Sequence, residues 1–177
     1  RIIGCAENFP QHIGLLRGCL DDVQTLLQEN AIKLVLHDER FAGEPIDVRF
    51  AGKLRPDQEA ALVGMLEHDT GILCAPTAFG KTVTAAALIA RRGVNTLILV
   101  HRTELLQQWK ERLQAFLEVD KSTLGSIGGG KSKPTGIIDV AVMQSLSRQG
   151  EVSEQVQKYG QIIVDERIRV NALNRAG

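Results

Sequence analysis

The stretch "GILCAPTAFGKTVTAA", residues 71–86, constrains this chain more than any other. An apolar run enters a Gly-Lys-Thr triplet and leaves through alanines, so the spacing predicts a strand over 71–75, a tight loop and a helix. Such a loop is a cradle for phosphate, because consecutive backbone N–H groups and a helix N-terminus converge on it. Pro76, Thr77, Ala78 and Phe79 form its arc. Gly80 permits close backbone approach, Lys81 reaches terminal phosphates, and Thr82 offers a hydroxyl to Mg²⁺. The usual pattern starts with Gly where this chain has Ala75, and Ala78 stands inside the turn. Glycine is required only where φ is positive or a Cβ would strike the ligand. Taken alone, the loop also suits an ordinary strand–turn–helix with an exposed lysine.

A second stretch supplies context. "QIIVDE" places Asp165 and Glu166 at the end of an apolar strand read over 161–165, on the edge where open α/β sheets bind ligands. In a nucleotide hydrolase an aspartate there holds Mg²⁺, and an adjacent carboxylate orients or deprotonates the attacking water. Further strands are expected over 96–100 ("TLILV") and 137–142 ("IIDVAV"). All are near-continuous apolar runs, as parallel strands buried on both faces require. Leu106, Trp109, Leu113, Phe116 and Leu117 fall on one helical stripe, so Trp109 reads as core. Alternation of this kind predicts an α/β fold, a parallel sheet flanked by helices. "GSIGGGKSKPTG", 125–136, reads as a flexible loop.

Residues 1–50 read as a small, partial α/β appendage. A short strand is expected in "RIIGCA", a helix follows Asp21-Asp22, a strand lies in "AIKLVLHD", and "AGEP" makes a turn. "FAGKLRP" is a linker leading to a helix with Pro56 in its first turn. Lys plus Arg equals Asp plus Glu at 21 each, so nucleic acid would have to be held by local contacts rather than a global field. The three cysteines fit no zinc or disulfide framework. They are expected as buried, reduced thiols, which implies a cytoplasmic setting. No apolar run approaches the ~20 residues of a membrane span.

"LRPDQEAAL", "APTAFGKT", "LVHRTELLQQW", "GSIGGGK", "DVAVMQSL" and "IIVDE" occur in the order of the motifs of superfamily 2 helicases. The chain resembles the branch of DNA-repair helicases and type III restriction-enzyme res subunits over residues 52–166. The resemblance implies a P-loop NTPase (RecA-like) fold, the first of two such domains, with ATP and Mg²⁺ as cofactors. In this superfamily an alanine commonly leads the Walker A loop, and some members carry one where Ala78 stands.

The resemblance also implies roles. Lys81, Asp165 and Glu166 (the DEAD/DEAH-box pair) would be catalytic, with Thr82 and Asp165 on Mg²⁺. Gln58 would read the adenine edge, since an amide both donates and accepts, with Arg55 packing near the base. His101, Arg102 and Thr103, with Thr103 capping the next helix, would meet nucleic-acid phosphate. Gly129 and Lys131 would grip the strand, as would Gln144 and Ser145 by a weaker match. The partner would be single- or double-stranded DNA, with RNA as the alternative.

After Glu166 the branch expects a small residue or Cys and then His, but Arg167 and Ile168 stand there. "RIRVNALNRAG" therefore reads as a divergent tail from truncation or frameshift. The Ser-Ala-Thr motif and the second RecA-like domain are not found in these residues, so the chain is expected to be weakly active or inactive alone. The competing reading is a non-catalytic nucleic-acid or protein-binding module that keeps the helicase fold.

Overall fold

The computed structural model describes residues 6–15, 17–36, 41–130, 132–148 and 151–165. Glu166, Lys131, Cys5, residues 1–5 of the expected first strand and the expected tail lie outside them. The chain divides between Arg40 and Phe41 into two compact units. Residues 41–50, grouped with the appendage on composition, thus lie with the larger unit, where Val48 and Phe50 join the core.

In the first unit β1 (Ala6–Asn8) pairs antiparallel with β2 (Ile13–Leu15). The expected helix is α1 (Leu20–Glu29), with Asp21 and Asp22 in its first turn. The strand expected in "AIKLVLHD" is not formed over 31–36, where Ile32, Val35 and Leu36 are exposed. A short apolar run holds strand geometry by pairing, and these residues have no ladder partner among the described ones.

The second unit begins its regular structure with α2 (Pro56–Leu66), whose Pro56 occupies the first turn as expected. Then follow α3 (Lys81–Arg92), β3 (Thr96–Val100), α4 (Thr103–Phe116), β4 (Leu124–Ile127), β5 (Ile138–Val142) and the single turn α5 (Met143–Leu146). A small antiparallel pair, β6 (Ser147–Arg148) with β7 (Glu151–Val152), precedes β8 (Gln161–Val164). The sheet order is β4-β5-β3-β8, with every pairing parallel. β4 takes the first part of the stretch read as a flexible loop. Its backbone pairs with β5, and Leu124 and Ile127 are buried.

Side chains alternate across β3 as the pleat demands. Ile98 and Val100 join Ala86 and Ile89 of α3 and Leu106, Trp109 and Leu113 of α4. Leu97 and Leu99 join Ile127, Ala141, Leu146 and Tyr159 on the other face. All five residues of β3 and of β5 are buried, and burying each Leu, Ile or Val among them contributes roughly 1.5–3 kcal/mol. β8 is an edge strand, with Ile162 and Val164 exposed.

The strand expected over 71–75 is not formed. These residues are extended without a ladder, and Ile72 is 95% exposed. Cys74, expected to be buried, is accordingly an exposed thiol, and Cys19 is partly exposed. No helix among the described residues is long and apolar enough to cross a membrane.

Buried polar side chains fix the N-terminal edge of the sheet. Asn95 Oδ1 accepts from the N–H groups of Glu44 and Gly160, and its Nδ2 donates to the carbonyls of Gly136 and Lys158. Asp139, fully buried in β5, accepts from Thr135 N–H, Gly136 N–H and Tyr159 O–H. A Cβ at Gly125 would stand 1.7 Å from Asp139 Oδ1, so only glycine fits beside this carboxylate. Burial and the neighbouring Asp139 raise the Tyr159 phenol well above its ordinary value of 10.0. A phenol so raised stabilises the fold in full below pH ~10 and loses that contribution as pH climbs toward its folded value. Tyr159→Phe is therefore expected to cost about 1–3 kcal/mol in urea unfolding at neutral pH. The gap between wild type and variant should narrow above pH ~10, and a pH-independent gap would refute the assignment.

Candidate nucleotide site and its neighbouring loops

The loop after Ala75 turns through a Phe79 N–H to Pro76 carbonyl bond of 3.2 Å. Ala78 sits at φ 66° and Gly80 at φ 88°, both left-handed. Ala78 is thus a non-glycine residue held where a Cβ is disfavoured, by roughly 1–2 kcal/mol. Strain of this kind persists where the surroundings over-determine the backbone. Gly80 opens α3, and Val83 and Thr84 both donate to its carbonyl. Lys81 Nζ lies along the loop, 3.0 Å from the Ala75 carbonyl and 3.4 Å from that of Pro76.

Gln58 lies beneath this loop, 3% exposed. Its Nε2 donates to the Phe79 carbonyl at 2.7 Å, and its Oε1 accepts from the Arg55 N–H at 2.9 Å. Arg55 donates to the same Phe79 carbonyl at 2.8 Å and lies 5.8 Å from the Phe79 ring centroid. Its guanidinium pairs with Asp57 and holds that carboxyl below its ordinary value. Both residues therefore support the loop directly.

Asp165 reaches the loop from the far end of the unit. Its N–H donates to the Leu99 carbonyl at 2.9 Å, which sets the residue just past β8, beside the end of β3. One cavity of about 440 Å³ is lined by Thr77–Thr82, Asp165 and the α4 residues Leu105, Gln108, Trp109 and Arg112. That volume is in the range of small-molecule sites, ~300–1,000 Å³. The helix N-terminus, the lysine, a hydroxyl and a carboxylate lining one cavity suit a Mg²⁺-bound polyphosphate, since Mg²⁺ takes few protein oxygens and keeps phosphate and water for the rest.

Two α4 residues were not read from sequence as part of this site. Trp109, read as core, is 4% exposed and packs in the core, yet its Nε1 donates to Asp165 Oδ2 at 2.5 Å. Arg112 Nη1 donates to Thr82 Oγ1 at 3.2 Å. Their i, i+3 spacing put them on one face; the partner of that face was the missing information.

The described residues among those read as nucleic-acid contacts gather at the C-terminal ends of β3, β4 and β5. Gly128, Gly129 and Gly130 all have positive φ. A Cβ at Gly128 would come 2.3 Å from Ser145 Oγ, and one at Gly129 would come 2.8 Å from Thr103 Cγ2. Gln144 Nε2 donates to the His101 carbonyl at 3.4 Å. The glycine loop is thus seated against both the α4 start and α5. Arg102, exposed and extended (φ −136°), is the residue that precedes α4, and Thr103 is its first helical residue. The expected Thr103 cap is therefore not made, because the helix begins one residue too early for it.

Residues 51–175 match the family model described as "Type III restriction enzyme, res subunit". The matched range runs past Glu166 and includes most of the stretch set apart as a divergent tail. The chain is 34% identical over 114 residues to the DNA 3'-5' translocase XPB2 of Sulfurisphaera tokodaii, covering 64% of this chain and 25% of that protein. It is 27% identical over 165 residues to a putative DNA 3'-5' helicase Rad25 of Haloarcula marismortui, covering 85% and 26%. The chain thus spans about a quarter of the length of these curated relatives. The UvsW helicase of bacteriophage T4 shares its fold, with TM-score 0.56 at 16% identity over 88% of this chain and 72% of that one.

The two left-handed loop positions make a pair of opposite sign. Ala78→Gly is expected to stabilise the chain by about 1 kcal/mol by relieving strain. Gly80→Ala is expected to destabilise it by about 1–3 kcal/mol, since its Cβ would stand 2.5 Å from Gln58 Nε2. Chemical denaturation of both variants checks this, and equal signs would contradict the loop geometry.

Proposed function

Because the chain belongs to the type III restriction enzyme res-subunit family, we propose that its larger unit is the first, ATP-binding RecA-like domain of an ATP-dependent DNA helicase or translocase. The observation that carries this reading is a cavity lined by both the 77–82 loop and Asp165. Residues far apart in sequence are brought to the sheet edge where such folds hold ligands.

In this proposal Lys81 and the α3 N-terminus hold the terminal phosphates. Thr82 and Asp165 hold Mg²⁺, which would neutralise phosphate charge when bound. Glu166, next in the chain, orients the attacking water. Gln58 and Arg55 support the loop from below and read the adenine from that position. Pro76, Thr77, Ala78 and Phe79 shape the cradle. DNA, or RNA as the alternative, lies across Arg102, Thr103, the glycine loop with Lys131, and Gln144 and Ser145, with His101 supporting Gln144. Phosphate contacts from a basic side chain and a helix start fix the position of a strand without reading its sequence. A cytoplasmic setting belongs to the same reading.

In this proposal the opposite wall of the ATP cleft, with its arginine, belongs to a second RecA-like domain. Such an arginine is worth roughly 10³-fold or more in related phosphoryl transfer. The 177-residue chain is therefore expected to bind a fluorescent ATP analogue with Mg²⁺ but to turn ATP over near background, with or without single-stranded DNA. Lys81→Ala should weaken binding by about tenfold or more, since it removes a charge-assisted contact worth ~1.5–3 kcal/mol. Analogue binding that ignores Lys81→Ala would sink the assignment. Strand binding indifferent to ATP and Mg²⁺ would favour the non-catalytic module instead.

Arg102→Ala should weaken DNA binding about equally across sequences and lower the slope of log K against log salt by about 1. An unchanged slope would remove Arg102 from the interface.

A further inference from the structure

We propose that Trp109 is a positioning residue for Asp165, holding one carboxylate oxygen so that the other faces the loop. The proposal rests on the nucleotide-site reading above and deepens it. An indole offers one donor and no acceptor, so a buried Trp has to find a single acceptor near its ring edge. Trp109 is 4% exposed, and the acceptor it finds is Asp165 Oδ2, at 2.5 Å. The ring itself is fixed by the core between α4 and the sheet, among Leu106, Leu113 and Val100. Its N–H direction is thus set by packing that is independent of any ligand.

The carboxylate needs such a constraint. Asp165 follows the last residue of β8, and its N–H donates to the Leu99 carbonyl. Its side-chain χ2 has a broad, roughly two-fold profile, so an unheld carboxylate samples many orientations. A donor on Oδ2 removes that freedom and leaves Oδ1 as the oxygen to be presented. Ligands on metals are commonly oriented this way by a partner bond, whose loss typically costs 10–100-fold in metal affinity. The same helix face carries Arg112 to Thr82 Oγ1. α4 therefore contacts both of the residues assigned to Mg²⁺.

The chain contains one tryptophan, which permits a clean test. Growth on benzothienylalanine replaces the indole N–H by sulfur throughout the protein while keeping the shape of the ring. Binding of a fluorescent ATP analogue is then titrated with Mg²⁺ in the full chain, with affinity in EDTA as the internal reference. The midpoint for Mg²⁺ should rise by about tenfold or more in the substituted protein. Trp109→Phe should raise it likewise, with an added loss in thermal stability. In the unsubstituted chain, Mg²⁺ should shift the emission of Trp109 when ATP is present, and Asp165→Ala should abolish the shift. Equal Mg²⁺ midpoints in the native and benzothienyl proteins overturn the positioning role while leaving nucleotide binding intact. Failure of the unsubstituted chain to bind the analogue at all overturns the nucleotide-site reading, and this proposal with it.

Discussion

Everything at the candidate site depends on β3 being paired in parallel on both of its edges. Its neighbours β5 and β8 run alongside it from Thr96 opposite Ile138 and Gln161. Parallel pairing sends every strand out of the sheet at the same edge and requires a crossover between strands. His101, Gln144 and Asp165 consequently emerge side by side although they are far apart in the chain. The topology supplies the juxtaposition, and the loops supply the chemistry.

The opposite edge carries the polar cost of that arrangement. Asn95, Asp139, Thr96 and Gln161 are all buried polar groups near the strand starts. Each finds partners: Asn95 joins three separate segments, and Asp139 closes the 135–136 turn and receives Tyr159. A buried network of this kind stabilises when fully satisfied and is expensive when it is not. One edge of the sheet is made rigid, while the other presents strained and glycine-rich loops. Ala78 illustrates the balance, because a local cost of ~1–2 kcal/mol is tolerable against the ~5–15 kcal/mol by which domains are stable.

Legibility differed from element to element for physical reasons. β3, β5, β8 and α4 were readable because runs and stripes of apolar residues follow the backbone period. Residues 71–75 and 31–36 carried the same apolar signal and did not form strands. A strand is completed by a neighbour, and no local pattern reports whether that neighbour is there. β4 was hidden for the converse reason: a glycine-rich stretch looks like loop until the Asp139 carboxylate beside Gly125 shows why no side chain fits. The loop residues and Asp165 could be singled out from sequence as a candidate site, since phosphate and Mg²⁺ demand particular groups at particular spacings, and residues 77–82 and Asp165 line one cavity.

The sequence by itself determined the α/β class, the positions of the Gly-Lys-Thr loop and the acidic strand end, and the family to which they point. Those features are local, written in periodicity and in residues whose chemistry has few substitutes. Only the tertiary structure decided that Gln58 and Arg55 brace the loop, that Ala78 is left-handed, and that the core tryptophan of α4 ends on Asp165. Each of these is a contact or a dihedral set by packing between distant segments. A helical stripe says that a side chain is buried, and leaves unsaid which single acceptor its buried N–H will meet.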